Sequence, residues 1–160
     1  MNWTQQALPG SFCHIPGLVH YLNGAATGTS EKWGPVHLTV DPRSTRYGDF
    51  FGDGDEVAAV HVGCDNGGGT ADGQLVDSYV VVRSSAGTLH AIGVIVPQMA
   101  AVPGVHVPLL SGADFAAGKI TVHEVWYRHY DGTCCPSGRA ITVWALQNGA
   151  LVAGHPSVTS

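Results

Sequence analysis

Basic side chains are scarce in this chain. Lys32 and Lys119 are the only lysines, and five arginines are scattered over 160 residues. Clustered lysine and arginine are what neutralise phosphates, so the composition argues against a nucleic acid or an anionic membrane surface as partner. Charge of either sign is thin: 12% of the residues are charged, about half the usual share. The formal net charge is −5, and the nine histidines are dispersed. Protonating them all in acid would reverse the sign of the surface.

Long apolar runs are missing too. The longest strongly apolar stretch, 91–96, falls far short of the roughly 20 residues a spanning helix needs. No window of helical length keeps a helical apolar period. Catalytic signatures are also wanting. There is no G-x-S-x-G elbow, and His123-Glu124 opens like a zinc-protease motif but meets Tyr127 where the second histidine belongs. The chain starts on Met1-Asn2-Trp3 with no charged, apolar leader. For an exported protein the expectation is a chain that begins after the cleavage point, with Met1 an added start and any lipid anchor upstream.

Hydrophobic residues make up 44% of the chain, too many for a disordered polymer with so little charge. The length suits one domain spanning 1–160. Twenty-two glycines and nine prolines cut it into short segments, and alternation reads as strands at 36–40, 57–64, 78–83, 88–96, 119–128, 140–146 and 150–153. Ser84-Ser85-Ala86-Gly87 and Gln147-Asn148-Gly149 read as hairpin turns. A short helix is expected at 3–8, with Asn2 as its cap and Pro9-Gly10 as its stop. Residues 97–117 read as a long loop. The fold class that follows is mainly β: an antiparallel sheet, curled or sandwich-like, with a short N-terminal helix.

Cys13, Cys64, Cys134 and Cys135 form an even set. Adjacent Cα atoms lie about 3.8 Å apart, below the usual disulfide range of about 4.4–6.8 Å. Cys134 and Cys135 are therefore expected to reach separately to Cys13 and Cys64. The alternative is a Cys13–Cys64 bridge beside a reduced or strained 134–135 pair. Zinc held by His129, Cys134 and Cys135 lacks the C-x₂₋₄-C spacing that lets two thiolates grip one ion. Disulfides in turn imply an oxidising, extracytoplasmic compartment.

Tyr47-Gly48-Asp49-Phe50-Phe51-Gly52-Asp53-Gly54-Asp55-Glu56 spaces carboxylates around glycines, as a calcium loop does. It resembles the Asp/Gly turn of FG-GAP-like repeats, which implies Asp49, Asp53 and Asp55 as oxygen ligands. Phe51 and Val57 stand where further oxygen donors would be needed. The bland alternative is a turn whose carboxylates accept backbone N–H bonds. The glycine-rich run Cys64-Asp65-Asn66-Gly67-Gly68-Gly69-Thr70 leads into a strand with no lysine nearby, so it reads as a surface loop and not as a phosphate cradle. Cys134-Cys135-Pro136-Ser137-Gly138, together with the Asp/Gly turn and the strand ending at Cys64, resembles actinobacterial exported proteins and lipoproteins of the LppP/LprE type. That resemblance implies an exported β-domain and carries no catalytic residues with it.

Glu124 shares a strand face with Ile120, Val122 and Trp126. A carboxylate there needs a raised pKa or a partner, and Arg128 and Arg139 are the expected partners. Tyr127, Tyr130 and Asp131, beside His129, are expected at an exposed binding surface. The leading expectation is a non-catalytic exported domain, secreted or held at the cell envelope, that binds a protein, glycan or envelope component. A hydrolase-type enzyme using Glu124 with His123 or His129, and a calcium-stabilised structural module, are the alternatives.

Overall fold

The structure, a computed structural model, describes residues 1–67, 73–102 and 105–160. Two antiparallel five-stranded sheets dominate it. The first is the meander β3 (Ala25–Ser30), β4 (Gly34–Gly48), β5 (Val57–Asp65), β6 (Gln74–Ser85) and β7 (Thr88–Ile95). The second is β8 (Leu109–Ala116), β9 (Lys119–Trp126), β10 (Gly138–Gln147) and β11 (Ala150–Ala153), with β12 (Ser157–Val158) also on β10. A small hairpin of β1 (Ala7–Pro9) and β2 (Leu18–His20) forms a third layer.

Strand alternation builds the two cores. Val36, Leu38, Val40, Val60, Val62, Cys64, Val80 and Val82 point to one face of the first sheet, where Trp3, Leu8, Phe12, Cys13, Val19 and Tyr21 cover them. The opposite face sends Val57, Ala59, Tyr79, Val81 and Ile95 against Leu110, Ala113, Ile120, Val122 and Trp144 of the second sheet. A central sheet covered on both sides explains why β5 is buried on both faces along most of its length and β6 is buried at every position from Asp77 to Val82.

The longest strand, β4, bends at a bulge between Asp41 and Arg46. Pro42 sits in it, where no ladder N–H is required. The Thr45 hydroxyl accepts the His61 N–H across the gap. Past the bulge β4 runs toward β8, and Gly48 lies so close to Phe115 that a Cβ would collide with the ring. Both expected hairpins are present. Ala86 and Gly87 turn at φ 51° and 78°, Asn148 and Gly149 at φ 52° and 81°. Successive positive φ values match the right-handed twist of the flanking strands.

The expected helix at 3–8 is a single 3-10 turn, Trp3–Gln5, with Asn2 Oδ1 accepting the Thr4 N–H. Ala7–Pro9 is extended because it pairs with Leu18–His20, and that pairing overrides the local helical signal. The loop expected at 97–117 ends early: Leu109–Ala116 is a strand, its pattern obscured by a bulge between Leu110 and Gly112. Strand β3 had no signal, since Ala25–Ser30 is small, polar and half-covered. Part of the glycine-rich run, 68–70, lies outside the described residues.

The cysteine pairing departs from expectation. Cys13 bonds to Cys64, and Cys134 bonds to Cys135, whose Cα atoms are 3.7 Å apart. Cys13 and Cys64 are both fully buried where the N-terminal layer meets β5. Cys134 and Cys135 are exposed in the β9–β10 connection, while the two buried sulfurs are spent on each other. Disulfides are compatible with an extracytoplasmic protein. No described helix is long and apolar enough to cross a membrane.

Candidate functional site

Five chain segments converge on a cleft of about 290 Å³ beside the edge of the first core. The 3-10 turn Ser11–Cys13 supplies Phe12 and, just past it, His14. The β3–β4 turn supplies Lys32 and Trp33, and the start of β6 supplies Leu75 and Val76. Val96, Pro97 and Met99 follow β7; Val107 and Pro108 precede β8.

Four of the five walls are held by a polar contact or a disulfide set behind them. The Cys13–Cys64 bond anchors the first wall to β5, and the Glu31 N–H donates to the His14 carbonyl at 2.8 Å. The Ser30 hydroxyl accepts the N–H groups of Lys32 and Trp33, both at 3.1 Å. Gln74 Nε2 donates to the carbonyls of Cys64 and Val76. Glu124 fixes the fourth wall. Its Oε1 accepts the Gln98 N–H at 2.9 Å and the Met99 N–H at 3.0 Å, and its Oε2 accepts Gln98 N–H at 2.9 Å and the Thr142 hydroxyl at 3.1 Å. The mouth carries the cation: Lys32 Nζ lies 4.8 Å from the Trp33 ring centre, and His14 meets the same indole edge-on at 5.2 Å.

Glu124 is 1% exposed and on the face expected from strand parity, with Ile120 and Val122. Its partners are not the expected arginines. Arg128 stacks on Trp126 and donates to Ser137, while Arg139 donates to the carbonyls of Pro136 and Gly138. Backbone N–H groups satisfy a buried carboxylate as well as a guanidinium does, and no sequence pattern marks which loop will provide them. His123, the next residue along the strand, points to the other face and contacts Asp114 at 2.7 Å. His129 lies exposed beyond the strand. Glu124, His123 and His129 are therefore not brought together around a common pocket.

The Asp/Gly turn is internally satisfied. Asp49 accepts the N–H groups of Gly52, Asp53 and Gly54, and Asp53 accepts that of Asp55. Arg83 Nη2 reaches Asp53 at 2.5 Å and Asp55 at 3.1 Å, with its guanidinium over Phe51. The carboxylates thus meet N–H donors and an arginine, as in the bland alternative. Among the described residues no three potential ligands converge on a metal position.

Tyr130 is 80% exposed, as expected, but Tyr127 is 4% exposed. Its hydroxyl donates to the Thr133 carbonyl at 2.7 Å, and its ring meets His106. Burial, then the charge of Asp131, raises the pKa of that phenol. Asp131 Oδ2 gathers the Arg128 N–H, the Ser137 N–H and the Ser137 hydroxyl, clamping the ends of the connection.

A second polar centre was not anticipated. His61 on β5 lies opposite Asp41 on β4 and Tyr79 on β6. Its Nε2 is 2.9 Å from Asp77 Oδ1, and its Nδ1 is 3.9 Å from Asp41 Oδ2. Asp77 Oδ2 accepts the Leu110 N–H at 2.8 Å and so ties the first sheet to the second. Burial opposes a charged ring, but the contact with Asp77 and the charges of Asp77 and Asp41 prevail over it and over Arg46, so His61 keeps its proton above the ordinary histidine range. Burial likewise pushes the Tyr79 phenol up to about 12. Carboxylates thus face both ring nitrogens at ion-pair distance, without the alignment of a hydrogen bond. The available signal was parity: the face of β5 opposite Ala58, Val60 and Val62 carries His61.

The chain matches no family model, no curated protein and no solved structure. Its geometry therefore carries the functional argument.

Proposed function

We propose that this protein is an extracytoplasmic, non-catalytic binding domain, and that the cleft between Trp33 and Met99 receives an apolar group bearing a negative charge. One observation carries the reading: an apolar cleft assembled from five segments, with four of its five walls fixed by a polar contact or a disulfide and one lysine at its mouth. Preorganised apolar clefts with few polar groups are the usual form of small-ligand sites, since binding then costs little ordering of the protein. An envelope component with an acyl or aryl part fits this lining better than a glycan, whose hydroxyls would lack partners there. The buried Cys13–Cys64 bond and the likeness of the Cys134-Cys135-Pro136-Ser137-Gly138 segment to exported proteins support the compartment.

The test is a titration of the purified protein with decanoate, followed through tryptophan fluorescence, alongside decanol and decyltrimethylammonium. Saturable binding is expected, with decanoate tightest. Trp33→Ala should weaken it about tenfold or more, an aromatic anchor's share. Lys32→Ala should remove the preference for the anion. Equal affinity of Trp33→Ala and the parent, or no saturable binding by any of the three, would sink the proposal.

A further inference from the structure

The Cys134–Cys135 bond has no structural task in the fold. A disulfide stabilises chiefly by closing a long chain loop in the unfolded state. A bond between neighbours closes almost none. Both residues are exposed. The connection that bears them is shaped without the sulfurs: Asp131 clamps Arg128 to Ser137, Tyr127 holds the Thr133 carbonyl, and the Cys135 N–H bonds to the Gly132 carbonyl. Cations stand close by in sequence and space. Arg139 Nη1 donates to the Pro136 carbonyl, next to Cys135, and Arg128 Nη1 donates to Ser137. Positive groups favour a thiolate over a thiol, and exposed disulfides are the labile and reactive ones. Tyr130, 80% exposed, offers an apolar contact to an approaching molecule.

We propose that Cys134–Cys135 is a reversible thiol–disulfide exchange site whose substrate is an extracytoplasmic dithiol. A thiolate of the dithiol attacks one exposed Sγ. The Cys134–Cys135 bond breaks, and its electron pair leaves on the other sulfur, which takes up a proton. The second thiolate of the dithiol then attacks the mixed disulfide, releasing the remaining cysteine and closing the dithiol into its own disulfide. Two electrons and two protons pass to the protein, and reoxidation reverses the path. The buried Cys13–Cys64 bond is closed to the same attack. This activity does not depend on the cleft and stands or falls apart from it.

The experiment equilibrates the folded, full chain in graded ratios of reduced to oxidised dithiothreitol, traps thiols with an alkylating agent and maps the peptides by mass. The expected result is two alkyl groups on the peptide carrying Cys134 and Cys135 while the peptides of Cys13 and Cys64 remain joined. The near-UV spectrum should be unchanged, and one equivalent of oxidised dithiothreitol should form per chain. The Cys134→Ser/Cys135→Ser variant should keep the parent's spectrum and melting temperature and form none. Three results would overturn the proposal: a starting protein in which Cys134 and Cys135 are not bonded to each other; a pair that opens only together with Cys13–Cys64; or a double variant that loses the native spectrum, which would give the bond a structural role.

Discussion

Cys13–Cys64 and Cys134–Cys135 are made of the same atoms and differ in everything around them. The first spans 51 residues, is fully buried, and holds the N-terminal layer against the central sheet at the back of the cleft. The second spans one residue, is exposed, and lies in a connection already held by Asp131 and Tyr127. Chain entropy gives the first a large effect on stability and the second almost none. Solvent access reverses the order for reactivity. A disulfide's role is set by the loop it closes and by its exposure.

The comparison breaks most visibly at the buried bond. Replacing Cys13 and Cys64 by alanine should cost about 4 kcal/mol, read as a lower urea midpoint with the slope retained, and should weaken decanoate binding as the Phe12–His14 wall loosens. A loss below about 1 kcal/mol would show the first bond to be as dispensable as the second. Next in size is Glu124→Ala. Leaving the Gln98 and Met99 N–H groups buried without an acceptor should cost about 3 kcal/mol, again by urea unfolding. Glu124→Gln, which keeps one acceptor oxygen, should cost less. A Glu124→Ala protein as stable as the parent would remove that structural role from the carboxylate.

The third test concerns pH. Because the folded state raises the pKa of His61, its contribution to stability is complete below the unfolded value of about 6.5 and is lost as pH rises through the folded value. Urea midpoints should therefore decline from mildly acidic to alkaline conditions, by less than the Glu124→Ala loss, and His61→Asn should flatten that decline. A decline of equal size in His61→Asn would remove Asp77 and Asp41 as its cause. The smallest effect should come from Cys134→Ser/Cys135→Ser, within about 0.5 kcal/mol of the parent. That difference sharpens the contrast between the two bonds.

Much of the architecture was legible in residue order. Alternation along β5, β9 and β10, the Ala86-Gly87 and Asn148-Gly149 turns, and the face on which Glu124 sits all follow from contacts between near neighbours or from strand parity. The errors have physical causes as well. Residues 7 and 8 read as helix because the pairing of 7–9 with 18–20 is invisible to a local window. Residues 109–116 read as loop because the bulge at Leu110–Gly112 breaks the alternation. The rule against bonding adjacent cysteines weighed distance alone, whereas the two buried partners were already committed to each other by packing.

By itself, the order of residues determined that this chain is an antiparallel β protein with little charge, with a carboxylate turned inward at 124 and cysteines enough for two bonds. Only the tertiary structure decided which sulfurs meet, which backbone N–H groups answer Glu124, how His61 comes between Asp41 and Asp77, and that five distant segments enclose one cleft. The physical reason is that strand formation depends on a period within a few residues. Pairing, capping and enclosure depend on which faces the sheets present to one another, and that is settled only when the layers pack.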